Sequence, residues 1–445
     1  MNRVQSTSPQ RPSDVVVDVP VCDPSDVASA VETARAAQRE WARNGPAVRA
    51  AALTACADAV AARTDELAAL VVREVGKPVL EARGEVARAA AILRYYAQQC
   101  FDPIGETYPG AGLDFTVRRP RGVAGLITPW NFPLAIPVWK AAPALAYGNA
   151  AVVKPAPEAT ACALRLAELF APHLPSGLLT VHPGHGETGA ALVDAADVVS
   201  FTGSTGVGRR VSAAGAARGI PVQCEMGGLS AAIVLPDADL GRAATHVAGA
   251  AMGFAGQKCT ATKRVLVVGD PAPFTEALRA AVDALRVGDP ADDGVAVGPV
   301  ITEAARDRVR EARAGRVVVS RDVPDEGWFA APTVVTDLPP DAPLNTTETF
   351  GPICTLAAAP DVASALALAN GTAYGLVTAL YTNDLAAAMA YVAECQSGMV
   401  KVNAPTAGVD FHLPFGGEKD SGYGGREQGK EAQRFYTSPR TVQFG

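Results

Sequence analysis

The sequence has few aromatic residues, few histidines and no excess of positive charge. Aromatic side chains make up 6% of its 445 residues, histidine occurs five times, and the formal net charge is −7 with an isoelectric point near 5.4. A chain without a basic excess is poorly suited to nucleic acid or to an anionic membrane surface, so we expect neither partner. No uninterrupted apolar run approaches the ~18 residues that span a bilayer.

Paired cysteines and metal-ligand clusters are also lacking. The eight cysteines are scattered without paired spacing, which indicates free thiols rather than a disulfide framework. His182 and His185 have no third ligand near them in the sequence, and a closed zinc site needs four ligands, so we expect no metal. The polar stretch from Met1 to Asp14 contains no apolar signal core, which predicts a loose terminus in a cytosolic protein.

The length predicts two or three domains, and the first of them opens with helices. Helical spacing of apolar residues predicts a helix over Ser25–Arg43, one or two helices over Ala47–Val75, and another over Leu80–Tyr96. Alanine dominates these stretches, which suits close helix packing. Nothing in them demands chemistry.

From Arg121 onward, short apolar runs alternate with helical patterns, which predicts βαβ units around a buried parallel sheet. Ligands of such sheets bind beyond the carboxyl ends of the strands. Three polar groups fall there: Thr128–Asn131, Lys154–Glu158 and Thr202–Gly208. The predicted strands are Val123–Ile127, Ala151–Val153, Leu178–Val181, Val198–Phe201 and Val222–Met226.

A second α/β unit begins beyond Ser230, and the chain closes with a strand-like tail, Thr437–Phe444. A terminal strand needs a partner edge, and Thr116–Arg121 is a candidate for one. The strands predicted for the second unit are Ala231–Leu235, Val265–Val268, Thr333–Val335, Ile353–Ala357, Leu376–Tyr381 and Met399–Val402.

The glycine-rich turn at Thr202–Gly208 joins a predicted strand to a predicted helix, and main-chain N–H groups at such a helix start favour a phosphate. The order of its glycines is G-x-x-G-x-G and not that of the common dinucleotide fingerprint. An ordinary tight turn that binds no phosphate is therefore an equally good interpretation. Glu225 follows at about the distance of a ribose-binding acid, roughly 20 residues on. From the residues alone it is a ribose ligand, a catalytic base or a strand-end carboxylate.

Cys259 stands between a predicted helix, Asp239–Gly256, and the strand Val265–Val268. A cysteine at such a junction can be presented to a cleft, where it would serve as a nucleophile. The alternative is a small buried apolar side chain, which is what most cysteines are. A nucleophile needs an activator, an oxyanion partner and a second reactant.

Six motifs in one order supply those partners. They are Thr128–Pro133, Phe201–Gly206, Glu225–Gly228, Gly256–Cys259, Glu348–Pro352 and Pro414–Gly417. From about Val21 to its end, the chain resembles the NAD(P)-dependent aldehyde dehydrogenase superfamily. Within it, Pro129–Asn149 and the two segments Gly408–His412 and Arg426–Lys430 look most similar to the 2-oxoglutarate-semialdehyde (2,5-dioxovalerate) dehydrogenase branch.

The resemblance implies an α/β fold with two Rossmann-like parallel-sheet domains and a β oligomerisation arm. The NAD(P)-binding domain would comprise residues 1–106 and 122–228, and the catalytic domain residues 229–425. Residues 107–121 and 426–445 would form the arm and tail. The implied partners are a small-molecule aldehyde and further copies of the chain, as a homodimer or homotetramer in the cytoplasm.

The resemblance also implies the chemistry: an aldehyde, with semialdehydes among the candidates, is oxidised to an acid with NAD or NADP through a thiohemiacetal and a thioester. Cys259 matches the nucleophile, Asn131 the oxyanion donor beside the Cys259 N–H, Glu225 the base that activates water, and Lys140 a lysine that supports the site. The implied cofactor-binding residues are Thr128, Pro129, Trp130, Lys154, Gly203, Ser204, Gly227, Glu348 and Phe350. Phe132, Trp139 and Phe415 would contact the substrate.

Three departures from the family pattern bear on these expectations. Family members strict for NAD often carry a carboxylate three residues after the matching lysine, whereas Pro157 stands here and Glu158 comes one residue late, so we expect both cofactors to be accepted. Leu229 replaces a polar residue, and Asp307–Trp328 is short, which we expect to alter surface loops. A CoA-acylating dehydrogenase and a catalytically dead binding protein remain alternatives. The presence of Glu225 argues against the first. The presence of Cys259, Asn131 and Glu225 together argues against the second.

Overall fold

The structure is a computed structural model that describes residues 3–102, 105–110 and 112–444. The first quarter of the chain is helical, as predicted, and the stretch expected to hold one or two helices holds two. Asp23 begins the first helix by accepting hydrogen bonds from the main-chain N–H groups of Ser25 and Asp26. The helices are Pro24–Trp41, Pro46–Ala61, Thr64–Val75 and Val79–Gln99.

The prediction of a loose amino terminus is wrong. Strands Arg3–Ser8 and Arg11–Pro20 form an antiparallel hairpin. Its buried face carries hydroxyls as well as Val4, and Ser6 Oγ donates to Glu74 Oε1 at 2.8 Å. Glu74 also accepts from the N–H groups of Ala161 and Cys162. The polar composition was misleading because the buried Ser6 hydroxyl is satisfied by a buried carboxylate distant in sequence.

The first sheet, as we call it, has six strands, of which five are parallel. The short strand Gly422–Tyr423 pairs antiparallel with Cys224–Glu225 at its edge, although it lies in the segment expected to be catalytic. In spatial order the strands are Gly422–Tyr423, Val222–Glu225, Val198–Thr202, Val123–Thr128, Ala150–Pro155 and Leu179–Val181. Its helices are Ala135–Ala146, Thr160–Phe170, Gly186–Ala195 and Thr205–Arg218, with a 3₁₀ turn at Pro157–Ala159.

The second sheet has seven strands, and only its edge strand Arg316–Ser320 runs antiparallel to its neighbour. In spatial order the strands are Arg316–Ser320, Thr333–Thr336, Ile353–Ala359, Arg264–Val268, Ala231–Val234, Val377–Tyr381 and Met399–Val402. The helices of this half are Leu240–Met252, Ala272–Asp283, Glu303–Glu311, Pro343–Thr346, Val362–Asn370 and Leu385–Glu394. Short strand pairs join Arg286–Val287 to Val295–Val297 and Tyr374–Gly375 to Glu418–Lys419.

A third sheet, here called the arm sheet, confirms the predicted partner of the tail. Strand Thr437–Phe444 pairs antiparallel along its whole length with Leu113–Pro120, and Thr107–Tyr108 adds a third strand. Helix Glu431–Tyr436 leads into the tail strand. The two main sheets confirm the α/β class, whereas the division into domains stays a prediction.

Candidate active site

Cys259 lies in a tight loop, residues 253–260, which we call the cysteine loop. Helix Leu240–Met252 ends before it, so the prediction of a helix running to Gly256 is wrong at its carboxyl end. The chain reverses because Phe254, Ala255 and Gly256 adopt left-handed φ angles of 52°, 51° and 63°. Such non-glycine residues cost about 1–3 kcal/mol each and persist only where the surroundings impose them.

Buried hydrogen bonds hold the cysteine loop in that shape. Lys263 Nζ donates to the main-chain oxygens of Gly256 at 2.9 Å and Gly351 at 2.6 Å. The Gln257 side chain accepts from Ile301 N at 2.8 Å. A Cβ at position 256 would lie 2.3 Å from Gly351 O, so only glycine fits this close approach.

The Cys259 thiol is partly exposed and lines a cavity of about 320 Å³. Burial raises the pKa of this thiol, and the charges of Glu348 and Glu225 raise it further. Main-chain N–H groups of Thr260 and Cys259 oppose that rise. The thiol therefore carries its proton at neutral pH, and attack on a carbonyl carbon requires that the proton leave.

Asn131 follows the strand Val123–Thr128 and is almost fully buried beside the cysteine loop. Its Nδ2 donates to the main-chain oxygen of Gln257 at 3.0 Å. Asn131 and Cys259 line the same cavity. The strand end of the first sheet and the cysteine loop of the second half thus meet at one point.

Glu225 ends the strand Val222–Glu225 and lies just behind the cavity, without lining it. Its side chain is buried, and Oε2 has no hydrogen-bond partner within the part of the chain that the structure describes. Burial raises the pKa of Glu225 well above its ordinary value, and the charge of Glu427 adds to the rise, while Lys140 and Arg426 oppose it. A carboxyl group with a raised pKa is suited to accept a proton near neutral pH.

A buried network lies behind Glu225, and its central carboxylate was missed by the sequence reasoning. Lys140 Nζ contacts Glu427 Oε1 and donates to Ser200 Oγ at 2.7 Å. Trp139 Nε1 donates to the other Glu427 oxygen at 2.6 Å. Glu427 belongs to the stretch Arg426–Lys430, which contributed to the resemblance. No periodic pattern marks this residue, because its backbone is positioned by an isolated β-bridge to Phe415 and not by a helix or strand.

The cavity contains most of the residues predicted for the site. Phe132, Lys140, Lys154, Thr128 and Glu225 lie outside its lining. Phe132 instead packs under the ammonium of buried Lys77, whose Nζ is 3.9 Å from the ring centroid. The lining residues are Pro129, Trp130, Asn131, Ile136, Trp139, Thr202, Gly203, Ser204, Met226, Gly227, Cys259, Arg308, Glu348, Phe350 and Phe415.

One wall of the cavity suits a dinucleotide. Ser204 begins helix Thr205–Arg218 without capping it through its side chain. A Cβ on Gly203 would lie 2.6 Å from the Phe201 ring, and one on Gly227 would lie 2.2 Å from Glu348 Oε2. Both positions require glycine because the protein's own packing leaves no room for a Cβ there, and the main-chain N–H groups at the helix start favour phosphate.

Further polar and aromatic groups border this wall. Glu348 Oε1 accepts from Gly228 N at 3.3 Å, and burial raises the pKa of Glu348 to about 7. Phe350 stands edge-on to Trp130 with ring centroids 5.5 Å apart. Burial lowers the pKa of Lys154 to about 8, against the charge of Glu158. Thr202 Oγ1, among the described residues, is buried without a partner, as expected where a ligand supplies one.

Arg308 also lines the cavity, and sequence reasoning missed it. It lies on helix Glu303–Glu311, in the segment that was expected to change surface loops alone. The sequence did contain a signal for it, because Ala305 and Val309 have helical spacing and are both buried. On such a helix Arg308 lies next to the buried face and not within it. The segment therefore brings a positive charge to the cavity.

Comparison with known proteins identifies the family. A model described as "Aldehyde dehydrogenase family" matches residues 1–442. The chain belongs to the aldehyde dehydrogenase family. It is 36% identical to an alpha-ketoglutaric semialdehyde dehydrogenase of Bacillus subtilis (strain 168), over 99% of this chain and 94% of that protein. It is 37% identical to an aminoacetaldehyde dehydrogenase of Pseudomonas aeruginosa, over 98% of this chain and 91% of that protein.

The aldehyde dehydrogenase fold is confirmed by solved structures. An NAD-dependent aldehyde dehydrogenase from Sinorhizobium meliloti superimposes with a TM-score of 0.96 at 31% identity, covering 100% of this chain and 91% of that one. The chain is thus an oxidoreductase that oxidises aldehydes with NAD or NADP. Across the described residues, no helix has both the length and the apolar character to cross a membrane. Those residues also contain no group of three or more His, Cys, Asp or Glu placed to hold a metal ion.

Proposed function

We propose that Cys259 is the nucleophile of this aldehyde dehydrogenase and that the oxidation ends in hydrolysis to a carboxylic acid. One observation carries the proposal: Cys259, Asn131, Gly203 and Gly227 line a single cavity, and the charge of the buried Glu225 acts on the Cys259 thiol. A nucleophile, an oxyanion donor, a binding site for the hydride acceptor and a base are therefore adjacent.

The reaction begins when the Cys259 thiol gives up its proton to water in the cavity and the sulfur bonds to the aldehyde carbon, whose carbonyl oxygen becomes an oxyanion. The second N–H of the Asn131 amide and the Cys259 main-chain N–H are the donors for that charge. NAD or NADP, held by Gly203, Ser204, Glu348 and Phe350, would supply the acceptor for the hydride of this carbon. The Cys259 thioester that remains is cleaved by water, which releases the acid and a proton and restores the thiol.

Glu225 takes a proton from the attacking water in this scheme. Its unpartnered Oε2 and its raised pKa support that role, because the carboxylate is neither held in an ion pair nor solvated. The Lys140–Glu427 pair behind it supports Glu225 in place. A CoA-acylating enzyme, the alternative, transfers the acyl group to a thiol and has no need of such a base.

The test is a panel of aldehydes and semialdehydes with NAD or NADP, in which reduced cofactor and acid are measured together. We expect one acid for each reduced cofactor without CoA. Production of acyl-CoA, with no acid when CoA is left out, would overturn the hydrolytic step. If Cys259 does not react with iodoacetamide and no aldehyde is turned over, the alternative of a catalytically dead binding protein would be favoured.

We further propose that the arm sheet joins copies of the chain into a homodimer or homotetramer. Strand Leu113–Pro120 is largely half-buried, strand Thr437–Phe444 is largely exposed, and Leu113 and Phe444 are more than half exposed. The second sheet ends in an edge strand, Met399–Val402, and helix Leu385–Glu394, which precedes it in the chain, exposes the apolar side chains of Leu385 and Met389. An apolar arm and an unpaired edge of this kind commonly pair between subunits.

Light scattering of the full chain and of a variant ending at Thr437 tests the assembly. We expect the full chain to be a dimer or tetramer and the shortened chain to dissociate. Phe444→Glu provides a milder change at the same surface, and Val442→Thr is its matched control on the same strand. A monomeric full chain would rule the arm out as an assembly element.

A further inference from the structure

We propose that Lys77 is a positioning residue, whose buried ammonium holds the Asn131 amide in place relative to the cysteine loop. The inference rests on the proposed function, because it names what keeps the oxyanion donor and the nucleophile in a fixed arrangement. No chemical role was assigned to Lys77 on sequence grounds.

Lys77 lies between two helices and is completely buried. It follows helix Thr64–Val75, after which Gly76 adopts a left-handed φ of 68°, and it precedes helix Val79–Gln99. Its side chain is 0% exposed, and Nζ contacts Glu85 Oε2. Burial lowers the pKa of Lys77, whereas the charge of Glu85 opposes that change and favours the charged ammonium. A buried ammonium needs further favourable contacts besides its ion pair.

Two aromatic rings from distant segments supply those contacts. Nζ lies 3.9 Å from the centroid of the Phe132 ring and 4.7 Å from that of the Phe254 ring. Phe132 directly follows Asn131, and Phe254 belongs to the cysteine loop. A cation within about 6 Å of a ring centroid is attracted to the ring, most strongly where water is excluded. One ammonium therefore binds both the segment of the oxyanion donor and the loop of the nucleophile.

Glu85 strengthens this attachment on the side of Asn131. Its Oε1 accepts hydrogen bonds from the main-chain N–H groups of Leu134 at 2.9 Å and Ala135 at 3.0 Å. These N–H groups stand at the start of helix Ala135–Ala146, where a carboxylate is favourable. The buried ion pair thus holds the stretch that directly follows Asn131, from its first ring to the start of the helix.

On the other side, the ammonium stabilises a strained part of the cysteine loop. Phe254 is completely buried and has a left-handed φ of 52°, a conformation that persists only where the surroundings impose it. The contact with Lys77 fixes its ring in the position that this conformation requires. Four residues after Lys77, Glu81 pairs at 2.7 Å with Lys258 and holds the loop at a second point, next to the nucleophile.

These contacts supplement the one hydrogen bond described above between the Asn131 side chain and the loop. That bond, from Nδ2 to Gln257 O at 3.0 Å, fixes a distance but leaves the amide free to turn about it. The contacts of Lys77 add a fixed point on each side, at Phe132 and Phe254. A displacement of about 1 Å at a reacting group can slow a reaction about 10²-fold, so this arrangement matters for the rate.

The experiment measures hydride transfer in the first turnover by stopped flow. Lys77→Met/Glu85→Gln removes the ammonium without leaving a buried carboxylate unpaired, and the glutamine oxygen keeps its acceptor role at the helix start. Glu85→Gln alone is the reference. Glu74→Gln is the matched control, because Glu74 is also buried but holds the start of a different helix, Thr160–Phe170. Urea unfolding shows where each variant is folded.

We expect Lys77→Met/Glu85→Gln to slow the first turnover about 10- to 100-fold relative to Glu85→Gln. The Kd for NAD should change less than about threefold, because Phe132 and Phe254 do not line the cavity. Lys77→Arg, which keeps a cation beside the rings, should retain part of the rate. Glu74→Gln should lower the free energy of unfolding and leave the first turnover within about threefold of the wild type.

The deciding measurement repeats the comparison in an Asn131→Ala background. If Lys77 acts through Asn131, its loss should slow the first turnover there less than about threefold, because the donor that it positions is already gone. An undiminished loss in that background would overturn the inference, since a general weakening of the fold acts with or without the amide. An unchanged first turnover with Asn131 present would overturn it as well.

If Lys77→Met/Glu85→Gln does not fold, Phe132→Leu decides the question in the same two backgrounds, because it removes one ring and keeps the ion pair. The proposed function fails separately. Normal first turnover in Asn131→Ala alone would refute the oxyanion donor, whatever the effect of Lys77, and acyl-CoA in place of acid would refute the hydrolytic step.

Discussion

The Asn131 side chain donates a hydrogen bond to the main-chain oxygen of Gln257, two residues before Cys259. This bond joins the end of a strand in the first sheet to the cysteine loop of the second half of the chain. One amide N–H therefore fixes the geometry of the cysteine loop, and the other is the donor that we propose for the oxyanion. The position of the bond explains why the two residues act as a unit.

Asn131→Ala should lower kcat by about 10²–10³, because the loss of one preorganised oxyanion donor has that cost. Asn131→Asp should fail similarly, since a carboxylate repels the oxyanion. Stopped-flow measurement of the first turnover checks the effect on the hydride step. Asn383→Ala, at an exposed position far along the chain, is the control. Near-normal turnover in Asn131→Ala would contradict the assignment.

Cys259→Ala should abolish aldehyde oxidation and leave cofactor binding intact, because the side chain supplies the bond to the substrate but no part of the glycine wall. Binding is measured by calorimetry and turnover by reduced-cofactor absorbance. Cys22→Ala, which alters another partly exposed thiol, should behave as the wild type. Turnover retained in Cys259→Ala would refute the nucleophile.

Glu225→Gln should let acyl-enzyme accumulate, seen as a burst of reduced cofactor followed by slow turnover. In the wild type the pKa of Glu225 is raised, so the carboxyl is protonated at a pH where an ordinary glutamate is ionised. Water activation should therefore be lost as pH falls through that raised pKa, and the burst should become visible at the acidic side. A burst whose size does not change with pH would contradict this role.

Both cofactors should support turnover, with a preference for NAD below about a hundredfold, or about 2.7 kcal/mol. The Lys154 pKa near 8 adds a pH signature. An amine with a lowered pKa is charged below that value and neutral above it, so KM for NADP should rise above pH 8 more than KM for NAD. Lys154→Met should remove this difference, and Glu158→Gln should favour NADP. A stronger preference for NAD would contradict the expectation.

Lys140→Met should destabilise the fold by about 3–5 kcal/mol, because it leaves the Glu427 carboxylate buried and unpaired. Urea unfolding at fixed protein concentration measures the free energy. Arg434→Met, which breaks an exposed pair with Glu431, should cost about 1 kcal/mol or less. The double variant Lys140→Met/Glu427→Met should recover part of the loss. Equal effects of the two single variants would argue against a buried pair.

Much of the fold could be predicted from periodicity, and its errors have physical causes. The strands around Val123–Thr128 and Ala231–Val234 are wholly buried on both faces, which leaves a continuous apolar run in the sequence. The amino-terminal hairpin was missed because its inward side chains include a serine, Ser6, whose hydroxyl donates to the buried Glu74 carboxylate. The end of helix Leu240–Met252 was misplaced because Ala255 is a strong helix former that the loop holds in a left-handed conformation.

The candidate site divides in the same way. Asn131, Glu225 and Cys259 could be named because each stands in a short motif, and the motifs occur in one order. Phe132 was grouped with the substrate from its chemical type, yet Lys77 occupies one face of its ring. Glu427 and Arg308 have no motif, since their place depends on packing between segments far apart in the sequence.

The sequence by itself determined the family and the α/β class and named the candidate residues for the chemistry, because strand burial and short motifs are local properties. Only the tertiary structure decided which side chains share a cavity and how the loop that carries Cys259 is held. Those relationships join the chain at Asn131 and Gln257, at Lys140 and Glu427, and at Lys77 and Phe132. Each depends on the folding of distant segments against one another, which no local pattern encodes.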